Sequence, residues 1–418
     1  MAFSVGSVLS AIQTRLDDDL AWRLVRDRYR AFDRLRLERG QSDGGESGWV
    51  TTRMLGRPAV VVSGAEGVRT FYDERLVTRK RALPAPVRLV LFGPQTIHRL
   101  EGLDHRWRKH LMVDLVTGPE IDSLTELVAR GLDDALNHWT RQEDVDLFDE
   151  LVRIYGRAVI EWVGSGASLD EADRISGEMA AILDGFGVGA TPYPRAVVGR
   201  IRAERWALRV IRDVRAGRRT AAGGSVVDAL ASQRADQLSD VAAATELVNI
   251  MRPVIAVAYF GVFAAHALHE HPEWRDMVAS GDERYLRAFE HEVRRWYPFA
   301  PLLGGRLKHE FEAGDTTLSP GSWIILDIRA TNLDEGEWQD ADRFDPARFL
   351  DREPSAYNFV PQGGGDTMQG HRCPGEPITI GVLQATLQRL AGVDYDVAPG
   401  RWPCRSGAFR RCQRTGCG

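Results

Sequence analysis

Apolar residues repeat every three to four positions through most of residues 105–297, for example over Leu147–Val159, which is the spacing of one helix face. Residues 1 to about 40 also have a helical pattern and are strongly charged. β-branched runs are short and fall in two regions, about 49–65 and about 300–330, which are predicted to be β-rich. The sequence therefore predicts a mainly α protein with minor β structure, folded as a single domain over all 418 residues.

Composition and charge exclude several function classes. The net charge of −5 and the hydrophobic content of 44% are typical of a globular protein without the basic surface that binds nucleic acid. Four cysteines are too few for a disulfide scaffold, which favours a reducing setting. The first twenty residues are too charged for a signal peptide, and no apolar run approaches membrane-spanning length. We expect a cytoplasmic protein with no nucleic-acid partner and no stable membrane insertion.

A long loop, Phe359–Glu376, has no regular apolar period and places Cys373 near its end. A helical pattern follows, and Pro374 suits the first position of that helix. Cys373 would then lie at the positive end of the helix dipole, which favours a thiolate. The glycines Gly363–Gly365 let a flat, bulky group approach the backbone closely. Such a thiolate is a candidate axial ligand for heme iron.

The neighbours His371 and Arg372 are candidate partners for anionic groups of that cofactor. The alternative is that Cys373 is a small buried apolar residue, the commoner fate of a single cysteine. The other cysteines lie in a tail, residues 401–418, that has neither a metal-binding spacing nor the apolar alternation of a strand.

A long helix is predicted from a cap at Ser239 or Asp240 to about His271. Two adjacent residues break the rules of its apolar centre. Pro253 removes a helical hydrogen bond, and Arg252 places a guanidinium where an unpaired charge is costly. The partner of Arg252 is either an internal carboxylate or an external carboxylate or phosphate, which arginine binds bidentately. The adjacency of the two irregularities favours a binding site.

Two further groups are weak signals alone. Glu292 and Arg295 lie three apart on a predicted helix and can pair, and Arg348 lies in a loop before the cysteine. His105 and Lys109, four apart on another helix, either reach a common anion or are solvated on an exposed face.

Together these residues resemble the cytochrome P-450 family. Glu292 and Arg295 match its Glu-x-x-Arg pair, Arg348 the third member of that buried network, and Cys373 the heme-ligand signature. The resemblance covers about residues 50 to 400. It implies the cytochrome P-450 fold, with a long central helix over heme b and Cys373 as the axial thiolate.

Two departures narrow the resemblance to one branch. Arg252 and Pro253 stand where oxygen-using members have an acid and a hydroxyl for proton delivery, and the ligand loop is lengthened. Both changes resemble the bacterial fatty-acid peroxygenases, which include alkene-forming decarboxylases. The resemblance assigns catalytic roles to Arg252, Pro253 and His98, although a lone histidine is more often structural. It also places Phe92 and His98 beside the distal heme face.

The same resemblance makes Arg79, His105 and Lys109 candidates for binding the heme propionates. It implies a fatty acid as substrate and hydrogen peroxide as oxidant, with no required redox partner. The substrate carboxylate, paired with Arg252, would serve as acid and base, and oxidation at Cα or Cβ would give 2- or 3-hydroxy acids or terminal alkenes. Two alternatives stay open: an oxygen-dependent monooxygenase with ferredoxin and reductase, and a heme-binding protein without catalysis.

Overall fold

The structure is a computed structural model that describes residues 18–27, 30–38, 49–100, 102–118, 120–139, 144–185, 193–233, 236–297, 299–368, 370–397 and 412–413. Its α-helices are α1 (Leu20–Asp27), α2 (Ala31–Glu38), α3 (Gly64–Tyr72), α4 (Ala85–Phe92), α5 (Gly102–Val116), α6 (Glu120–Trp139), α7 (Leu147–Trp162), α8 (Leu169–Asp184), α9 (Tyr193–Arg215), α10 (Val226–Ser232), α11 (Asp240–Glu270), α12 (Arg275–Ala279), α13 (Glu283–Trp296), α14 (Ile328–Asn332) and α15 (Glu376–Ala391). The strands are β1 (Val50–Met54), β2 (Arg57–Val62), β3 (Val77–Thr78), β4 (Asp144–Val145), β5 (Leu302–Leu307), β6 (Phe311–Ala313), β7 (Thr316–Leu318), β8 (Trp323–Asp327), β9 (Asp396–Val397) and β10 (Cys412–Gln413). The prediction of a mainly α fold with minor β structure is confirmed.

The chain groups into two compact units. Unit 1 comprises the described residues of Met1–Pro84, Ala300–Phe344 and Pro354–Arg372, and unit 2 those of Ala85–Phe299, Asp345–Glu353 and Cys373–Gly418. The single domain expected from the sequence stays a prediction.

Unit 1 contains a five-stranded sheet in the order β1-β2-β8-β5-β3, in which β2 and β8 are parallel and the other neighbours antiparallel. Successive side chains of a strand point to opposite faces, so the apolar runs of β2 and β8 supply two cores. One face packs Val60, Val62, Ile324 and Leu326 with Val68 and Phe71 of α3. The other packs Ala59, Val61, Trp323 and Ile325 with Leu20, Phe32 and Leu35 of α1 and α2.

Unit 2 is built around α11, which packs against α7, α9 and α15. The predicted cap is confirmed, because Ser239 accepts a hydrogen bond from the Ala242 N–H. The prediction that no apolar run approaches membrane-spanning length is wrong for α11, which is long and apolar enough to cross a membrane. Yet 83% of its most apolar 18-residue window is buried, as in the core helix of a globular protein.

Two local predictions near the chain's end are corrected. The helix after the cysteine begins at Glu376 with Gly375 as its cap, so Pro374 precedes the helix rather than opening it. In the tail, where no strand was expected, Cys412–Gln413 pairs with both β4 and β9. The rest of residues 401–418 lies outside the described residues.

Candidate active site

Arg252 lies near the middle of α11 and has no ion-pair partner in the described part of the chain. The residue is 7% exposed, and its Nε has no hydrogen-bond acceptor. Its guanidinium carbon lies 5.7 Å from the centroid of the Phe92 ring, a cation–π contact. The internal salt bridge considered from the sequence is therefore not formed among the described residues.

The charge of Arg252 persists despite its burial. Burial, helped by the charge of Arg200, lowers the pKa of Arg252 to about 9, while Cys373 acts in the opposite direction. The guanidinium is therefore protonated at neutral pH. A buried cation without a carboxylate is costly, and an incoming anion would offset that cost.

Pro253 interrupts the buried run of α11. Ile250–Arg252 and Val254–Ala258 are buried, whereas Pro253 is exposed. The helix continues through the proline, which has no N–H to donate to the carbonyl of Asn249. At this point α11 therefore borders an open space.

The His98 ring stacks on the Phe92 ring. The ring centroids are 3.8 Å apart, with an angle of 25° between the planes. His98 has accessible surface, yet burial is the main cause that lowers its pKa to about 3, followed by the charges of Arg252, Lys109 and His105. The imidazole is therefore neutral at ordinary pH.

A buried polar network fixes the loop that holds His98 against α11. Glu246, 1% exposed, accepts hydrogen bonds from the Ile97 N–H at 2.7 Å and from Asn249 Nδ2 at 3.1 Å, and it pairs with Arg108 at 3.4 Å. Asn249 Nδ2 also donates to the Phe92 carbonyl at 3.0 Å. The position of the Phe92–His98 pair is thus set by the same helix that carries Arg252.

The sequence interpretation missed this network. Its signal is the spacing of Glu246, Asn249 and Arg252, three residues apart along an apolar helix and therefore on adjoining parts of one face. Polar side chains on such a face need partners, and the loop after α4 supplies them.

Cys373 lies just before α15 and is half-buried. Its sulfur accepts a hydrogen bond from the Gly375 N–H, but burial and the charge of Glu376 raise the pKa of the thiol, against the lowering effect of Lys109 and Arg252. The helix end lowers the pKa of the thiol, as the sequence predicts, but burial has the larger and opposite effect. Binding to a metal cation deprotonates a thiol in such a setting.

His105 and Lys109 are buried on α5, at 7% and 5% exposed, so the alternative that they are solvated is wrong. Lys109 is within electrostatic range of both Cys373 and His98. A thiol, buried cations and a histidine of unit 2 therefore lie within electrostatic range of one another. This donor set fits a heme, with sulfur for the iron and cations for the propionates.

Two buried ion networks lie in unit 2. Arg295 Nε and Nη2 donate to the two oxygens of Glu292 at 2.6 and 2.7 Å, and Arg348 Nε lies 3.3 Å from the same carboxylate. The second network was not expected from the sequence: Arg294 pairs with Glu290 and, at 2.8 Å, with Glu376 of α15. Both networks place charges where removal of one partner would leave the other uncompensated.

The other proposed cofactor residues belong to unit 1. The Arg79 guanidinium stacks 3.7 Å from the Phe71 ring centroid and donates to the Gly304 carbonyl at 3.0 Å, while its buried Nη2 has no acceptor. Burial lowers the pKa of Arg79 to about 10. His371 and Arg372 are half-buried. Among the described residues, no group of histidine, cysteine and acidic side chains could hold a bare metal ion.

Comparison with known proteins gives consistent matches. A family model described as cytochrome P450 matches residues 268–390, a segment in which Cys373 is the single cysteine. The structure of cytochrome P450SP alpha in complex with (R)-ibuprophen is 32% identical, with 94% of this chain and 96% of that chain covered and a TM-score of 0.86. A variant of cytochrome P-450 OleT in complex with arachidonic acid is 29% identical, with 92% and 91% covered and a TM-score of 0.86.

Matches to curated sequences are shorter. The steroid 17-alpha-hydroxylase/17,20 lyase of Squalus acanthias is 34% identical over 137 residues, which is 30% of this chain and 26% of the relative. The chain thus spans about a quarter of the length of the first curated relatives it matches.

Proposed function

Since this chain belongs to the cytochrome P-450 family and is a heme-thiolate oxidoreductase, we propose that it oxidises fatty acids beside their carboxylate with hydrogen peroxide. The observation that supports this proposal most directly is Arg252, a buried cation without a described carboxylate partner, next to the exposed Pro253. A fatty acid offers the missing carboxylate on an apolar chain. The arachidonic acid complex of the OleT variant agrees with this substrate class.

In unit 2, Cys373 would hold the heme, with His105 and Lys109 as the proposed propionate partners. For Arg79, His371 and Arg372 of unit 1, cofactor binding stays a prediction from the sequence. When bound, the heme would supply the redox chemistry for oxidising a nearby C–H bond with peroxide, and the Cys373 thiolate would assist it by donating electron density. The chain's own residues then have to place the substrate and handle protons.

Arg252 binds the substrate carboxylate, and its fork geometry accepts both oxygens. The head group is thereby held at a fixed point beside Pro253 and the Phe92–His98 pair. Because the anchor is at the carboxylate, the carbons within reach of oxidation are Cα and Cβ. Positioning of this kind accounts for a large part of the rate enhancement in many enzymes.

Proton transfer falls to the bound carboxylate because α11 has no free acid in this region. Glu246, the one acidic residue in the interior of α11, already bonds to Ile97, Asn249 and Arg108. The substrate carboxylate, in contrast, can accept a proton from peroxide at one oxygen and return it. This arrangement links the choice of substrate to the choice of oxidant.

Two outcomes satisfy the atom balance. Hydroxylation converts the acid and one hydrogen peroxide into a 2- or 3-hydroxy acid and one water. Decarboxylation removes a Cβ hydrogen and the carboxyl group, and gives a terminal alkene, carbon dioxide and two waters. We propose that this chain forms both kinds of product, with His98 among the residues that influence the ratio.

The test is product analysis with heme-loaded protein, a mixed-length fatty-acid pool and hydrogen peroxide. A parallel reaction replaces peroxide with ferredoxin, reductase and NADPH. We expect turnover in the first reaction, and we expect Arg252→Ala to lower kcat/KM by about 10²–10⁴-fold through loss of anchoring and of proton transfer. Arg209→Ala, which removes an exposed arginine from α9, is the matched control.

Turnover only with redox partners would favour the oxygen-dependent alternative. Heme uptake without any turnover would favour the non-catalytic one. If Arg252→Ala and Arg209→Ala behaved alike with peroxide, the carboxylate would not be bound as proposed.

A further inference from the structure

The hydroxyl of Thr96 lies at the centre of the contacts that hold His98. Thr96 is fully buried, and its Oγ1 has three polar neighbours: the His98 N–H at 3.3 Å, Asn249 Nδ2 at 3.3 Å and His98 Nδ1 at 2.9 Å. The first two are nitrogen donors, and neither can accept the hydroxyl hydrogen of Thr96. The contact with His98 Nδ1 is therefore the one in which the Thr96 hydroxyl hydrogen can take part.

The orientation of the Asn249 amide is set by its surroundings. Its Nδ2 faces the Phe92 carbonyl, a Glu246 oxygen and Thr96 Oγ1, all of which accept, while its Oδ1 accepts from Arg200 Nη1 at 3.3 Å. A flipped amide would place oxygen against oxygen. The two N–H hydrogens of Asn249 are therefore shared among three accepting neighbours, and Asn249 offers Thr96 no acceptor.

The hydroxyl hydrogen of Thr96 has one acceptor within reach. It cannot bond to the two N–H donors, and a buried hydroxyl left without an acceptor is unfavourable. His98 Nδ1 is the remaining neighbour, at the shortest of the three distances. The Thr96 O–H therefore donates to Nδ1, which must be the unprotonated nitrogen of the ring.

A neutral imidazole has one protonated nitrogen, so acceptance at Nδ1 places the hydrogen on Nε2. We propose that Thr96, held by Asn249, fixes His98 in the Nε2–H tautomer, so that the ring offers a hydrogen-bond donor to the open space beside Phe92 and Arg252. Thr96 is thus a positioning residue that acts through His98. This inference rests on the proposed function only for its consequence in catalysis, not for the tautomer.

The tautomer defines what His98 does in the site. A neutral Nε2–H is a very weak acid and has no lone pair for a proton, so His98 neither supplies nor removes one during turnover. It can donate a hydrogen bond to an oxygen of the peroxide or of the substrate carboxylate. The groups that face the ring, Arg252, Lys109 and His105, are cationic or basic and disfavour a second proton on it.

The direct test is nitrogen NMR on heme-loaded protein labelled with ¹⁵N-histidine, in the diamagnetic ferrous carbon monoxide form at neutral pH. His98→Gln identifies the signals by removing them. We expect a pyridine-type Nδ1 and a pyrrole-type Nε2. A pyrrole-type Nδ1, or two pyrrole-type nitrogens, would overturn the proposal.

The role of Thr96 is tested with Thr96→Val, which keeps the side-chain shape but loses the hydroxyl, and with the control Thr96→Ser, which retains it. We expect Thr96→Val to lose the single-tautomer pattern and Thr96→Ser to preserve it. An unchanged pattern in Thr96→Val would show that the hydroxyl does not set the tautomer. If Thr96→Val fails to fold, the wild-type spectrum alone still decides the tautomer.

A second measurement links the tautomer to catalysis. With peroxide and a fatty acid, Thr96→Val should shift the alkene-to-hydroxy-acid ratio by about two- to tenfold, the effect of one hydrogen bond, while Thr96→Ser stays near wild type. An unchanged ratio would overturn the link to product choice. The NMR assay needs no substrate, so failure of the proposed function and failure of this inference give separate results.

Discussion

Arg252→Met should stabilise the heme-loaded, substrate-free protein rather than weaken it. The usual expectation for a buried arginine is the reverse, because removing it leaves a carboxylate uncompensated. Arg252 has no such carboxylate among the described residues, and its Nε is buried without an acceptor. Methionine retains much of the apolar stem of the side chain and removes the charge.

The expected gain is about 1–3 kcal/mol in the free energy of unfolding, a fraction of the several kcal/mol that an unpaired buried ion costs. Substrate should offset this difference in stability between the variant and the wild type. A fatty acid at 100 times its dissociation constant stabilises the wild type by about 2.7 kcal/mol, but it stabilises the variant far less because the carboxylate has no cation to bind. Denaturant unfolding of the wild type and of Arg252→Met, each with and without fatty acid, gives the four free energies of unfolding to compare.

The control is Arg209→Met, which changes an exposed arginine of α9 and should alter neither stability nor the fatty-acid effect. A loss of more than about 3 kcal/mol in substrate-free Arg252→Met would mean that a buried partner holds the guanidinium in the resting protein. Equal stabilisation of wild type and variant by fatty acid would also refute the reasoning.

Three further expectations follow from other parts of unit 2. Arg295→Met should cost about 3–5 kcal/mol by denaturant unfolding, in contrast to Arg252→Met, since it removes the bidentate partner of the buried Glu292 and leaves that carboxylate with the more distant Arg348. Thr386→Val should destabilise the protein more than Tyr155→Phe. The Thr386 hydroxyl donates its hydrogen to a backbone carbonyl, so in the Tyr155–Thr386 hydrogen bond the Tyr155 hydroxyl is the donor. Thr386→Val removes the acceptor and leaves the buried Tyr155 hydroxyl unsatisfied, at a cost of about 1–3 kcal/mol in the free energy of unfolding. Burial and neighbouring histidines lower the pKa of His266 to about 4. Between pH 6.5 and pH 4 the histidine is protonated in the unfolded chain but not in the folded one, so the free energy of unfolding falls as the pH drops through this range. His266→Leu should reduce that acid loss by roughly 3 kcal/mol, measured as unfolding free energy against pH, and an unchanged slope would contradict the assignment.

The fold was predictable where the pattern of side chains alone determines the element. The Ser239 cap, the long apolar run of α11 and the β-branched runs of β2 and β8 each specify their element locally. The start of α15 could not be predicted, because both Pro374 and Pro377 suit a helix N-terminus and only the backbone conformation distinguishes them.

The site was predictable in its unusual residues and not in their partners. Arg252 stood out because a charge in an apolar helix is rare. Thr96 and Glu246 did not stand out in the sequence, because a threonine in a loop and a glutamate on a helix are common. Their roles follow only from contacts that form in the folded chain. The pKa of the Cys373 thiol was predictable only in part for a related reason: the helix end was visible in the sequence, but the burial that opposes its effect was not.

The attachment of the Phe92–His98 loop to α11 has a stereochemical consequence. One helix carries Arg252, the proposed anchor for the carboxylate, and, through Glu246 and Asn249, also holds the Phe92–His98 loop beside it. Under the proposed function, contacts near the head group alone would therefore set which of the two hydrogens on Cα or Cβ is presented for oxidation. The enantiomeric excess of the hydroxy acids should stay constant as the alkyl tail is lengthened, even where the turnover rate changes.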